Sequence, residues 1–140
     1  MTIKDVSAAR RWFRRMLWLG IVVNIALAIP TILVPERMIE LMRLPPVMPD
    51  LWTRFAALLL VLLSTFYMPA GVDLDRYRAN AWLAVMSRLV GVTFFALQPR
   101  VYYQLGAIDL AFFVPEVILL TLAVRAPSPS SPAWASRGVV

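Results

Sequence analysis

The stretch AWLAVMSRLVGVTFFAL, residues 81–97, decides how this chain folds. It is apolar enough to lie in a bilayer, yet it carries Arg88 well inside. An arginine at such a position costs roughly 2.5–3.5 kcal/mol on insertion scales and more in simulations. It therefore demands a partner or a water-filled pocket. The next apolar run, AIDLAFFVPEVILLTLAV, residues 107–124, carries two acids, Asp109 and Glu116. A membrane-crossing pair of helices with complementary charges is the simplest solution.

Composition agrees. Of the 140 residues, 61% are hydrophobic and 16% charged, with a mean hydropathy of +0.74. A soluble domain is nearer half apolar and a quarter charged. The apolar excess is gathered into four long runs, the mark of membrane spans. They cover residues 16–34, 51–70, 81–97 and 107–124, and predict an all-α integral membrane protein, a four-helix transmembrane bundle with short interfacial helices. The formal charge is +6, with the basic residues at segment ends. No basic face interleaved with aromatics lies outside the apolar runs, which excludes nucleic acid as a partner. There is no cysteine and no histidine. Disulfides, thiolate chemistry, ordinary zinc sites and histidine-ligated haem are excluded, as is the usual general base near neutral pH.

The opening MTIKDVSAARRWFRR, residues 1–15, places Ile3, Val6, Ala9 and Phe13 on one side at helical spacing among Lys4, Arg10, Arg11, Arg14 and Arg15. It reads as a basic helix lying on an anionic lipid surface. In the first span Gly20, Asn24 and Ala28 form a small-residue stripe carrying one amide, a helix-contact signature. Pro30 is expected to kink or end that helix. PERMIELMRLPP, residues 35–46, reads as a short interfacial helix stopped by Pro45 and Pro46. Trp52 and Tyr67 fit aromatic belts at the two ends of the second span. Asp73 or Asp75 suits a cap for the helix that follows. The closing RAPSPSSPAWASRGVV, residues 125–140, reads as a disordered tail.

Lysine and arginine set the orientation. Lys4, the four arginines of the N-terminal arm, Arg76, Arg78, Arg125 and Arg137 fall on one side, against Arg37, Arg43, Arg100 and the boundary residue Arg54 on the other. Both termini are expected in the cytoplasm. At 1.5 Å per residue, Asn24, Ser64, Thr65, Arg88 and Glu116 fall in one layer, roughly 8–12 Å from the cytoplasmic boundary. Asp109 shares a stripe with Glu116, seven residues on, and is expected near the outer end at the level of Arg54. Two ion pairs are thus expected: Arg88–Glu116 in the polar layer and Arg54–Asp109 outside it. They serve either to fix helix packing or to build a polar, proton-responsive site.

The segments VPERMIELMRLP, WTRFAALLLVLLSTFYMPA, DRYRANAWLAVMSRLVG and DLAFFVPEVILL resemble those of the DoxX-like group, small four-span bacterial integral membrane proteins. The resemblance covers residues 16–124. It implies a bacterial inner-membrane location and, through members tied to quinone-linked oxidoreductases, an accessory membrane subunit. It also implies polar or proline positions at Arg54, Arg88, Asp109 and Pro115. The absence of histidine and cysteine leaves no cofactor ligand, which argues against catalysis by this chain. Three functions follow as expectations. The first is a non-catalytic integral membrane protein, an accessory subunit of a membrane complex. The second is a small proton-coupled transporter or channel acting at Arg88 and Glu116, which would need a homodimer because four spans enclose little space. The third is a quinone- or lipid-binding subunit of an oxidoreductase, with Trp82, Phe94, Phe95, Phe112 and Phe113 around an apolar site.

Overall fold

The computed structural model describes residues 3–46 and 48–124; the expected tail at 125–140 lies outside them. Five α-helices follow one another: α1 (Ile3–Leu33), α2 (Pro35–Leu41), α3 (Leu51–Val72), α4 (Arg78–Ala96) and α5 (Tyr103–Val124), with a 3-10 turn at Arg100–Tyr102 before the last. All but α2 are long and apolar enough to cross a membrane. The protein is thus a multi-pass, all-α membrane bundle. α2 is the short helix expected after the first span, with Pro35 in its first turn, where a missing N–H is no loss.

One expectation is corrected at the start of the chain. Residues 3–15 do not form a separate surface helix: α1 runs unbroken from Ile3. No glycine or proline interrupts the passage from Arg10 to Leu19. Ala9, Phe13, Leu17 and Ile21 recur every fourth residue and are all buried. The apolar stripe of the arm is therefore in phase with that of the span and packs into the same core. Nor does Pro30 end the helix, which continues to Leu33. With 31 residues the helix is about 46 Å long, longer than the roughly 30 Å hydrocarbon thickness. Its arginine-bearing first third overhangs.

Around the bundle the order is α1, α3, α4, α5 and back to α1, with α3 and α4 the most loosely joined neighbours. The core lies toward the end that carries the 73–77 loop. There Phe13, Leu17, Tyr67, Leu74, Ala81, Val85 and Leu120 pack together. Tyr67, expected at an aromatic belt, is instead 1% exposed. It shares a helical face with Ala57, Ser64 and Ala70, all buried, so its ring points at α4. The loop itself is folded by Asp73, whose Oδ1 accepts from the amides of Asp75 and Arg76 at 3.1 Å each. No side chain caps α4, so Asp73 shapes the turn and not the helix end.

The outer surface is apolar. Leu19, Val22, Ile29, Leu58, Leu59, Leu62, Val90, Leu110 and Ile118 are all exposed. The polar side chains Asn24, Ser64, Arg88 and Glu116 are buried. This inversion suits a chain whose solvent is lipid, where packing of small residues and interhelical hydrogen bonds hold helices together.

Candidate functional site

The site is built on a stripe of α4. Ala81, Ala84, Val85 and Arg88 are its buried residues, spaced to make one face. The two alanines let the neighbouring helices approach, so Arg88 enters the bundle. It is 3% exposed. Its Nε donates to Oε2 of Glu116 at 3.1 Å, and its Nη1 to Oδ1 of Asp109 at 3.4 Å. The guanidinium carbon stands 4.6 Å from the centre of the Phe112 ring. Asp109, Phe112 and Glu116 are three and four residues apart on one face of α5. That face presents a carboxylate, a ring and a carboxylate to one cation, and the planar fork of arginine spans both acids.

Two glycines make the room. A Cβ at Gly20 of α1 would collide with Nη2 of Arg88, and a Cβ at Gly91 would collide with Oδ2 of Asp109. Nη2 of Arg88 and Oε1 of Glu116 are buried without a hydrogen-bond partner among the described residues, and both face Gly20.

A second polar group joins α1 to α3. Nδ2 of Asn24 donates to Oγ of Ser64 at 3.1 Å, and that hydroxyl donates to the Leu60 carbonyl at 2.8 Å. A third joins α3 to α4, where the hydroxyls of Tyr67 and Ser87 are hydrogen-bonded to each other.

Of the residues expected in one layer, Asn24, Ser64, Arg88 and Glu116 are buried, and Thr65 is not. Its hydroxyl returns to the Leu62 carbonyl at 2.6 Å on an exposed face. Ser64 and Thr65 share a depth, but neighbours on a helix diverge by about 100°. The expected Arg54–Asp109 pair does not form. Arg54 donates to the Ile32 carbonyl near the end of α1, and Asp109 belongs to Arg88. The cause is the start of α5. It begins at Tyr103 and not at residue 107, which sets Asp109 one turn deeper, level with Arg88.

Tyr67 and Ser87 are absent from the expected layer, and Gly20 and Gly91 stand out in the sequence only as small residues that permit close helix approach. The phase of Tyr67 with Ser64 was the available signal for one of them. That the two glycines face Arg88 and Asp109 leaves no local signal.

These groups surround a cleft of about 510 Å³ lined by Asn24, Leu60, Leu63, Tyr67, Ser87, Arg88, Val90, Gly91, Phe94 and Asp109. It lies along the loose α3–α4 seam. Val90 and Phe94, exposed on the outer surface, stand at its mouth. An amide, two hydroxyls, a guanidinium and a carboxylate stand deeper. Of the five aromatics expected around an apolar site, Phe94 lines the cleft and Phe112 covers Arg88. Phe95 stacks edge-on against Phe94 at 5.3 Å, and Trp82 and Phe113 are not among the lining residues.

No family model, curated protein or solved structure matches this chain.

The chemistry of the site thus rests on its geometry. Its volume is in the range of small-molecule pockets, about 300–1,000 Å³. Its polar groups bind and orient: they offer donors from Arg88 and Asn24 and hydroxyls that donate or accept. Among the described residues, no three of His, Cys, Asp and Glu gather as a metal site.

Proposed function

We propose that this chain is a non-catalytic integral membrane protein that holds a membrane-soluble amphiphile, a quinone or a lipid, in the cleft between α3 and α4. The observation that carries this reading is the gradient along the cleft. Its mouth is made of Val90 and Phe94 on the lipid-facing surface, and its depth holds Asn24, Tyr67, Ser87, Arg88 and Asp109. A ligand entering sideways from the bilayer would keep its apolar part in contact with leucine, valine and phenylalanine. Its carbonyl or hydroxyl head would reach the donors of Arg88 and the Tyr67–Ser87 pair. Such a subunit fits an accessory role in a membrane oxidoreductase complex, in line with the DoxX-like resemblance. A bacterial inner-membrane location with both termini in the cytoplasm is part of this reading. The arginines at 10, 11, 14, 15, 76 and 78 on one end of the bundle support the orientation.

The test is purification in mild detergent followed by solvent extraction and mass spectrometry of small molecules and co-purifying proteins. A quinone or lipid should be recovered in a fixed ratio to protein. Val90→Trp, which fills the mouth and touches none of the polar groups, should abolish that recovery. Equal recovery from the variant would refute the cleft as the site.

A second reading, a proton-coupled transporter or channel acting as a homodimer, draws support from one observation. Nη2 of Arg88 and Oε1 of Glu116 are buried polar atoms with no partner among the described residues, the kind of group around which intramembrane pathways are built. A pH-dependent flux in vesicles that disappears in Glu116→Gln would favour it over amphiphile binding.

A further inference from the structure

Away from the cleft, α1 carries Arg11, Arg14, Arg15 and Trp18 at spacings of three and four, hence on one face. This face is distinct from the buried stripe of Ala9, Phe13, Leu17 and Ile21. The four side chains line a hollow of about 410 Å³. Two of them are fixed by a single acceptor on α3. The Gly71 carbonyl accepts from Nε of Arg14 at 2.7 Å and from Nε1 of Trp18 at 3.3 Å. Gly71 has no side chain to obstruct them: a Cβ there would lie 2.8 Å from the indole nitrogen. Arg15 lies over the Trp12 ring at 5.1 Å, and Arg11 reaches Ser7 at 3.4 Å.

The acids of the adjoining 73–77 loop are committed elsewhere. Asp73 folds its own turn, and Asp75 pairs with Arg10 at 2.7 Å and Arg78 at 3.0 Å. Among the described residues no ion pair involves Arg11, Arg14 or Arg15. The hollow therefore gathers three cations and no carboxylate.

Depth identifies the anion. Trp12 and Trp18 are 55% and 39% exposed; Arg14 and Arg15 lie between them and Arg11 directly before Trp12. The two tryptophans are about 9 Å apart along the helix, a little more than the roughly 5–8 Å of one headgroup layer, the level that tryptophan favours. One turn deeper on the same side, Leu19 and Val22 are exposed and continue the hollow as an apolar track.

We infer that Arg11, Arg14, Arg15 and Trp18 form a site for the phosphodiester headgroup of one acidic phospholipid, with its acyl chains laid along Leu19 and Val22. Arginine forks match phosphate oxygens. The lack of a carboxylate leaves nothing to meet the ammonium of a zwitterionic headgroup, so a lipid such as phosphatidylglycerol is preferred over phosphatidylcholine.

The test is native mass spectrometry of the full chain released from bilayers of equal phosphatidylglycerol and phosphatidylcholine. One phosphatidylglycerol should survive activation that strips phosphatidylcholine. Arg11→Gln with Arg15→Gln should weaken its retention roughly ten- to thirtyfold. Gly71→Ala should also weaken it by displacing Trp18, although every arginine remains. Arg76→Gln with Arg78→Gln removes equal charge from the same end outside the hollow and should leave retention unchanged. Equal loss from both double variants would mean diffuse attraction and overturn the site. Full retention in Arg11→Gln/Arg15→Gln would do the same. Displacement of the lipid by inorganic phosphate would show that the hollow recognises the free anion and overturn the lipid assignment. Because Val90 and the cleft lie elsewhere, loss of the amphiphile there and loss of this headgroup are separate outcomes.

Discussion

Gly20 of α1 faces the guanidinium of Arg88 so closely that no side chain fits between them: a Cβ would collide with Nη2 and lie 3.3 Å from Cζ and 3.4 Å from Oε1 of Glu116. Arginine ends are usually mobile and yield to such intrusions. This one is held by Glu116 and Asp109 at once, so yielding means stretching an ion pair. Gly20→Ala should therefore destabilise the bundle by about 1–3 kcal/mol, despite a gain of about 1 kcal/mol in helix propensity. Thermal unfolding in detergent reads the difference. In an Arg88→Leu/Asp109→Asn/Glu116→Leu background the substitution should turn neutral or stabilising. If it is equally harmful there, the collision is with something other than the arginine.

The three-way charge cluster makes a graded prediction. Arg88→Leu strands two carboxyl groups and should be the most damaging single change, on the order of 3–5 kcal/mol by analogy with buried pairs in soluble cores. Glu116→Leu leaves Arg88 its second acid, and should cost less. Asp109→Asn should cost least, since Asp109 is the more exposed acid and its contact is the longer. Arg88→Leu should recover fully only when both acids are also neutralised. Recovery by Glu116→Leu alone would show that Asp109 is not part of the cluster. The membrane values are expected at the lower end, because helices unpacked in lipid find other partners.

The Tyr67–Ser87 hydrogen bond joins the most loosely packed pair of neighbours around the bundle. Tyr67→Phe and Ser87→Ala should each cost about 0.5–1.5 kcal/mol. The double variant should cost little more than either, because each single change already breaks the bond between the helices, and in Tyr67→Phe the Ser87 hydroxyl keeps its bond to the Ala84 carbonyl at 2.8 Å. Additive losses in this double-mutant cycle would show that the two hydroxyls do not act together.

The chain has no cysteine, so single cysteines report topology without background. With four spans, Asp50→Cys and Asp75→Cys should react with a membrane-impermeant thiol reagent from opposite sides. Labelling of both from one side would remove a span from the assignment.

Hydropathy alone was enough to locate the four membrane helices, because each buries few residues and faces lipid with the rest. The Arg88–Glu116 contact was also legible, since depth and helical phase agreed on it. Asp109 was misjudged because Tyr103, Gln104 and Gly106 look like a turn. Instead they open α5, and Gly106 is there because a Cβ would press to 3.0 Å on the Cβ of Phe95. That contact belongs to the fold and leaves no trace in local sequence. Thr65 has the depth of the layer but not its azimuth, since it stands about 100° round the helix from Ser64. The arm at 3–15 failed because charge density suggested a surface helix while the phase of Ala9 and Phe13 continued that of Leu17.

The two acids that neutralise Arg88 both come from α5, while the first two spans satisfy their own buried amide through Asn24 and Ser64. This division has a consequence for biogenesis. As the chain emerges from the ribosome, α1 and α3 can settle in lipid as a finished hairpin. α4, whose mean hydropathy of 1.3 is the lowest of the four spans, arrives with an uncompensated cation. It becomes stable at depth only when α5 follows, so the second half of the protein enters the bilayer as a pair of helices and not one at a time.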